Sequence, residues 1–348
     1  MSSNYQYDYL IYIGRMQPPT RAHVSTVKRA LDMANNVIVL FGSSFQPRTI
    51  KNPWSWIERA TMLSNQLPAK DTSRLICKPI RDFRYNDAEW VQQVQKIVKT
   101  ITLGKVSRNL RIGVIGHKKD SSSFYLDMFP QWKFVSVEQI DDVNATQVRD
   151  EYFSRQLDKW HDKDLISSEL KQYLKDWSKC DQYANLCEEY RHIQEYKESW
   201  KPAPYDPFFV TVDAVVIQSG HILMIQRRSA PGKGLWALPG GFVKPGEYLT
   251  VAALRELREE TKLKVPTAVM AGSMKGSHVF DNPDRSLRGR TITHAYAFYL
   301  PAGELSKVKG SDDAAKAKWI PINDVLDMEE HIFEDHKDII DWALSLIS

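Results

Sequence analysis

At 348 residues the chain is about twice the length of an ordinary domain, which predicts two hydrophobic cores. Its 43% hydrophobic and 26% charged residues are those of a folded globular protein and exclude a disordered or fibrous chain. A formal net charge of only +4 excludes a globally basic surface, so nucleic acid is not an expected partner and any preference for anions must be local.

The opening MSSNYQYDYLIYIG lacks the basic-then-apolar pattern of a secretory leader, and no stretch approaches the roughly 18 apolar residues of a membrane span. A cytoplasmic protein with no membrane partner is expected. Cys77, Cys180 and Cys187 form no Cys-x2-Cys pair, which argues against a disulfide framework and a structural zinc site.

Residues 8–14 (DYLIYIG) form a short apolar run ending in glycine, and PPTRAH then leads into a helical pattern over 24–34. A strand over 37–42, a helix over 54–67, strands at 75–79 and 110–116 and a helix over 90–101 continue the alternation. Over residues 1–150 this predicts an α/β fold: a Rossmann-like, doubly wound parallel sheet with helices on both sides. Residues 151–204 read as a helical linker, polar and aromatic-studded, whose helices pack either between domains or between subunits of a homo-oligomer. The three prolines of KPAPYDP (201–207) end it. In the remaining span, 205–348, FFVTVDAVVIQ (208–218) and HILMIQRR (221–228) read as adjacent strands around Ser219-Gly220, and a helix from Glu329 to Leu346 closes the chain.

The pattern Gly241-x5-Glu247-x7-Arg255-Glu256-Leu257-Arg258-Glu259-Glu260 sets Glu256, Glu259 and Glu260 at i, i+3 and i+4, on one face of a helix. Like charges there cost about 0.2–0.5 kcal/mol per pair, and hard oxygen ligands suit Mg²⁺ or Mn²⁺; the other reading is a solvated charged face. The whole pattern, preceded by LWALPGG (235–241), resembles the Nudix box, G-x5-E-x7-R-E-U-x-E-E-x-G-U, with Lys262 where that family has glycine. The resemblance implies an α/β/α sandwich that hydrolyses a nucleoside diphosphate derivative. It makes Glu256 and Glu260 metal ligands, Glu259 a ligand or catalytic positioning carboxylate, the Gly241 carbonyl part of the metal shell, and Arg255, paired with Glu247, the group that orients the glutamates. The general base is expected from Asp312 or Asp313. The segment 280–290 sets Phe280 beside Arg285, Arg288 and Arg290; it is similar to the segment of Nudix domains acting on ADP-ribose, or else it is a solvated loop.

Near the start, Gly14-Arg15-Met16-Gln17-Pro18-Pro19-Thr20-Arg21-Ala22-His23 falls between a strand and a helix, where helix amides meet phosphates and His23 can donate to one. The stretch resembles the G-R-F-x-P-x-H-x-G-H signature of nucleotidylyltransferases related to nicotinamide-mononucleotide (NMN) adenylyltransferase, with Met16, Thr20 and Ala22 replacing Phe, the first His and Gly. Lys51-Asn52-Pro53-Trp54 with Glu58-Arg59 is similar to its x-N-P-[FW] segment, and 81–90 to its mononucleotide loop, which implies nucleotide contacts for Asp82 and Asn86 and stacking of Trp90 on nicotinamide. After Gly116, His117 or Lys118 is expected to hold phosphates and Asp120 a ribose. Thr146 and Arg149 fit the late [ST]-x-T-x-x-R pattern that receives ATP phosphates. Arg15, His23, Lys51 and Arg149 with Mg²⁺ would then suffice for adenylyl transfer, with Gly14 and Thr20 among the residues that bind the nucleotide.

In this order the two halves resemble the bifunctional NMN adenylyltransferase/Nudix hydrolase proteins, whose small-molecule partners are ATP, NMN and ADP-ribose. Two other readings stand beside this one. Thr20 and Ala22 suit a Nudix hydrolase with a degenerate nucleotide-binding domain. A Nudix-based effector sensor is the other, although no helix-turn-helix is evident.

Overall fold

The computed structural model describes residues 5–103, 109–117, 126–138, 144–155 and 166–347. The chain divides into two compact units, 1–188 and 189–348. The first unit runs β1 (Tyr7–Gly14), α1 (Arg21–Met33), β2 (Ala34–Phe41), α2 (Trp56–Ser64), α3 (Ala69–Thr72), β3 (Leu75–Pro79), α4 (Asp87–Thr102), β4 (Ile112–Gly116), β5 (Lys133–Ser136), α5 (Ala145–Phe153), α6 (Ser168–Trp177) and the start of α7 (Asp181–Trp200). All strand pairs are parallel, in the order β3-β2-β1-β4-β5. The order reverses direction at β1, which makes the carboxyl ends of β1 and β4 the place for a ligand.

Both faces of this sheet are covered, as the near-continuous apolar strands require. Leu10 joins the cluster of Val24, Val27 and Leu31 from α1, whereas Tyr9, Ile11 and Ile13 join that of Val94 and Val98 from α4. The edge strand β5 is absent from the sequence-based expectation: KFVS is four residues long and only half-buried, too short to show a period. The aromatic residues of the linker build core. Tyr152, Phe153 and Trp177 surround Trp54 at ring distances of 5.8, 6.4 and 5.7 Å.

The second unit takes up the end of α7 and continues with β6 (Phe209–Gln218), β7 (His221–Arg227), β8 (Trp236–Ala237), β9 (Gly240–Phe242), α8 (Leu249–Thr261), α9 (Thr267–Gly272), β10 (Met274–Phe280), β11 (Thr291–Tyr299), β12 (Ala314–Pro321), α10 (Ile322–Asp327) and α11 (His336–Ser345). Its mixed sheet has the order β10-β11-β6-β7-β12, with β9 on β6 and β8 on β7. Consecutive residues of β6 face opposite sides: Val212, Ala214 and Val216 pack with Ala252, Ala253 and Leu257 of α8, and Val215 and Ile217 with Ile339, Ile340 and Ala343 of α11. The result is the expected α/β/α sandwich. Tyr196 and Trp200 of α7 lie on Phe209, at 5.6 and 5.2 Å, so the division between units falls inside α7, upstream of the proline cluster.

Ser219 and Gly220, with φ of 48° and 74°, supply the two left-handed residues that a tight hairpin turn demands. Beyond that turn β6 and β7 stay paired only at Ile217–Ile222 and Gln218–His221. Farther on, β6 pairs with β9 and β7 with β8. The hairpin is thereby splayed, and a cavity opens between its arms.

The closing helix differs from the expectation of a continuous element from Glu329. A short 3₁₀ turn over Glu329–His331 is followed by a break before α11. Phe333 N–H donates to the Trp236 carbonyl at 2.8 Å, and Asp335 accepts two bonds from Arg285, at 2.9 and 2.8 Å. These long-range partners win over local helix propensity and turn the break inward. Among the described residues no helix is long and apolar enough to cross a membrane.

Arg285 and Asp335 are both essentially inaccessible. Removing one partner leaves an uncompensated buried charge, so Asp335→Ala is expected to lower the stability of the second unit by about 3–5 kcal/mol. Urea unfolding checks this; the Arg285→Met/Asp335→Leu pair, which removes both charges, should recover most of the loss.

Candidate active sites

In the first unit, three side chains knit the loop after β1 to its surroundings. Gln17 exchanges two hydrogen bonds with the Trp54 backbone: it accepts from Trp54 N–H at 3.1 Å and donates to the Trp54 carbonyl at 2.9 Å. The fully buried Arg59 guanidinium donates to the carbonyls of Arg15 and of Gly42, the latter at 2.8 Å, and to Ser44 Oγ at 3.2 Å. It ties the ends of β1 and β2 together. Arg149, on α5, donates to the Gln17 carbonyl at 2.6 Å and to Thr146 Oγ1 at 3.0 Å, which brings the α5 N-terminus to the same loop.

The electrostatics of this corner are one-sided. Burial, with Arg15 nearby adding repulsion, pushes Arg59 and Arg149 each down to about 10. The side chain of Arg15 is exposed. Asp82 and Glu58 partly offset the charge of Arg59, but no carboxylate pairs directly with Arg15 or Arg149 among the described residues. Positive charge crowded this way favours an anion bound between them.

His23 stands in the first turn of α1. Thr20, the N-cap residue, donates its backbone N–H to His23 Nδ1 at 3.0 Å, with Thr20 Oγ1 at 2.8 Å. An amide can only donate, so Nδ1 keeps its lone pair and the ring proton lies on Nε2. Burial pushes His23 down to about 4, which leaves a neutral ring near pH 7 with one N–H to offer. Thr20, where the signature has its first His, therefore fixes the tautomer of the second.

The other expected residues are more scattered. Gly14 ends β1, and Lys51 is half-buried in the loop between β2 and α2. Asp82 is committed to shaping that loop: it accepts from Ser43 N–H at 2.9 Å, Ser43 Oγ at 2.6 Å and Gln46 Nε2 at 3.0 Å. Asn86 caps α4 by accepting from Glu89 N–H at 3.1 Å. Trp90 packs on Phe129 at 5.8 Å. Gly116 ends β4, and His117 Nδ1 donates to the Val137 carbonyl at 3.0 Å. Lys118 and Asp120 lie outside the described residues.

In the second unit, Arg255 gathers the acidic residues. It donates to both oxygens of Glu247, at 2.7 and 2.9 Å, to Glu256 at 2.6 Å and to Glu259 at 3.0 Å. Glu247, bonded first of all by Arg255, is held down at about 2. Glu260 has no such partner among the described residues: it is buried, accepts the Gly240 N–H at 2.9 Å, and is pushed up to about 8 by burial, with repulsion from Glu256 added. A Cβ on Gly241 would stand 2.8 Å from the Glu256 carboxyl group, so glycine lets the backbone approach the acidic helix. Lys262, replacing the family's glycine, ends α8 in the left-handed conformation with φ of 52°, the shape glycine adopts without strain.

These groups line a cavity of about 480 Å³ between the splayed arms of β6 and β7. Glu256, Glu259, Glu260, Gly241, Arg288, Asp312 and Asp313 all face it. The loop bearing Asp312 and Asp313 is moored to the end of α8 through Ser311 N–H on the Glu260 carbonyl at 3.1 Å and Lys309 N–H on that of Thr261 at 2.8 Å. Arg285 reaches the cavity but is bound to Asp335. Phe280 does not line it; that ring is 2% exposed and packs on Trp342. Arg290 also lies away, donating to the Asp281 carbonyl.

Several cavity residues escaped the sequence reading. Asp213, Arg227 and His336 face the cavity; His336 Nδ1 accepts from Leu238 N–H at 2.8 Å, and its Nε2 lies 3.7 Å from Asp213. A lone acid inside FVTVDAVVIQ and paired arginines ending HILMIQRR were visible signals. For His336 there was none. Among the described residues no three acidic, imidazole or thiol groups already form a closed metal cage; Arg255 stands between Glu256 and Glu259 instead.

Fold and sites define a two-part nucleotide enzyme: a doubly wound sheet with a cationic strand-end loop, and a sandwich with an acidic helix. A cytidylyltransferase-like family model matches residues 11–214 and a NUDIX domain model residues 207–343. The chain is 35% identical over 192 residues to the nicotinamide/nicotinic acid mononucleotide adenylyltransferase of Acinetobacter baylyi, covering 54% of this chain and 95% of that one. It is 34% identical over 150 residues to the ADP-ribose pyrophosphatase of Methanocaldococcus jannaschii, covering 43% and 78%. A bifunctional NMN adenylyltransferase/ADP ribose pyrophosphatase from Francisella tularensis superposes with a TM-score of 0.90 at 34% identity over 97% of this chain and 99% of that one. A second structure of that description, complexed with AMP and Mn ion, gives 0.89 at 33% over 98% and 100%. The chain belongs to the cytidylyltransferase-like family, fused to a Nudix domain in the arrangement of the bifunctional NMN adenylyltransferase/ADP-ribose pyrophosphatases.

The raised Glu260 carboxyl has a consequence for metal-free protein. Between the ordinary value of 4.5 and about 8, the native chain holds a proton that the unfolded chain has released. Stability should therefore fall as pH rises through that window and level off above it. Thermal melts with chelator present check this, and Glu260→Gln should flatten the slope.

Proposed function

We propose that the first unit transfers the adenylyl group of ATP to NMN, giving NAD and pyrophosphate, and that the second hydrolyses ADP-ribose to AMP and ribose 5-phosphate. The observation carrying this reading is that one chain holds both the cationic loop with its neutral His23 and the Arg255-gathered carboxylates beside a nucleotide-sized cavity. The names of its relatives support the same pair of substrates, and cytoplasm is the proposed setting.

For the transferase, an NMN phosphate oxygen attacks the α-phosphorus of ATP and the bond to the departing pyrophosphate breaks. The residues supply position and charge rather than a covalent nucleophile. His23 donates its Nε2–H to a phosphate oxygen and brings no charge. Arg15, Lys51 and Arg149, with the amides opening α5 beside Thr146, neutralise the phosphates. Asp82 and Asn86 set the mononucleotide loop, Trp90 offers a face to nicotinamide, and His117 with Lys118 and Asp120 serve ATP.

For the hydrolase, Glu256, Glu259, Glu260 and the Gly241 carbonyl would hold Mg²⁺ or Mn²⁺. The donors fit: all are hard oxygens, and the buried Glu260 makes no direct ion pair among the described residues. When bound, the cation supplies charge neutralisation at the diphosphate and acidifies the attacking water. Arg255 keeps Glu256 and Glu259 apart and oriented, and Asp313 or Asp312 accepts the proton of the water. Arg288 and Arg227, neither paired with a carboxylate among the described residues, grip the diphosphate.

Assays with Mg²⁺ should yield NAD plus pyrophosphate from NMN and ATP, and AMP plus ribose 5-phosphate from ADP-ribose. Glu256→Gln and Glu260→Gln should abolish the second reaction and leave the first intact. His23→Ala should lower transfer on the order of 10²-fold, the usual cost of losing one oriented donor, with hydrolysis unchanged. A His23→Ala protein with full transfer activity would remove that role.

A further inference from the structure

The cations around the second cavity fall into two groups. Arg255 and Arg285 are bound to carboxylates. Arg227 makes no ion pair among the described residues, although it lines the same cavity. Its guanidinium lies 4.0 Å from the Phe333 ring centroid, and its Nε donates to the Pro231 carbonyl at 2.9 Å. Stacking and a single bond through Nε fix the plane of the group and leave its two terminal nitrogens for an anion.

What fixes Pro231 and Phe333 is the next residue, Gly232. Its φ is +74°, and a Cβ there would stand 2.4 Å from the Phe333 ring. The turn is therefore pressed against the ring that carries Arg227. Gly232 N–H donates to Glu189 Oε2 at 3.0 Å, a carboxylate that comes from α7, outside the sheet and the acidic helix. Glu189 lies close enough to Arg227 for its charge to be felt, yet beyond ion-pair distance, so it does not occupy the guanidinium.

We propose that Glu189 is a positioning residue of the hydrolase site: by accepting the Gly232 N–H it holds the Pro231–Gly232 turn, and through that turn and Phe333 it aims Arg227 at the diphosphate of the substrate. A charge-assisted bond to an amide is stronger than a neutral one, and among the described residues the side chain of the strand-end arginine is braced by Phe333 and Pro231. The C-terminal part of α7 is thus a working piece of the second unit, not a spacer. The inference rests on the reading of that unit as an ADP-ribose hydrolase.

The test uses the full chain. Glu189→Ala should raise KM for ADP-ribose roughly tenfold, the scale of one hydrogen bond to a charged group, with kcat within about twofold and adenylyl transfer unchanged as the internal control for folding. Glu189→Gln keeps an acceptor oxygen and should restore KM. Arg227→Ala should raise KM at least as much, and adding Glu189→Ala to it should raise KM no further, because both changes act through one group. If the alanine form does not fold, Glu189→Leu, which preserves volume, takes its place. An unchanged KM in the acceptor-free form, a Gln form as impaired as the Ala form, or additive effects with Arg227→Ala would each overturn the positioning role. Wild-type protein unable to cleave ADP-ribose would overturn the hydrolase reading as well, which separates the two failures.

Discussion

Carboxylates crowded on one face of a helix beside a cavity repel one another unless a cation stands among them. In the second unit Arg255 is that cation. Its guanidinium touches Glu247, Glu256 and Glu259 at once, so the acidic helix can pack against the Gly240–Gly241 strand before any metal arrives. Glu260 is the group that this arrangement leaves outside the Arg255 cluster, and burial, with repulsion from Glu256, raises its carboxyl. The glycines follow from the same constraint: a side chain at Gly240 would meet the Val212 carbonyl at 2.2 Å, and one at Gly241 the Glu256 carboxyl at 2.8 Å.

The first unit carries the opposite imbalance. Arg59 and Arg149 are buried under the loop after β1, with Arg15 exposed beside them, and their donors hold backbone carbonyls rather than carboxylates. An enzyme of polyphosphates gains from such an excess, because the missing counter-charge is the substrate itself. The neutral His23 completes the loop without adding to the repulsion, and Thr20 sets its tautomer. The replacement of the signature's first His by Thr is therefore an altered loop with a defined hydrogen-bonding role rather than an empty position.

Much of this was legible in residue order. The alternation of short apolar strands with helical spans located four of the five strands of the first sheet, and the box from Gly241 to Glu260 located the acidic helix and its arginine. Where the reading and the structure diverge, distant partners decided. Arg285 lies in an arginine-rich segment that suits a diphosphate, but Asp335, fifty residues later, claims it in a buried pair. Phe280 has the chemistry of a stacking platform and is instead packed under Trp342. The break before α11 has no helix-breaking residue to announce it; it is held open by Trp236 and Arg285.

The sequence by itself determined the two classes of chemistry, because charge, glycine placement and helical period act over a few residues and survive as local spacing. Only the tertiary structure decided which charges are available. Arg227 and Arg285 are the same residue type, yet among the described residues one makes no ion pair and the other is neutralised by Asp335, since pairing depends on groups that meet when β6 and β7 splay and α11 and α7 close around them. Local order specifies what a side chain can do; the surrounding packing, through burial and competition for partners, selects what it does.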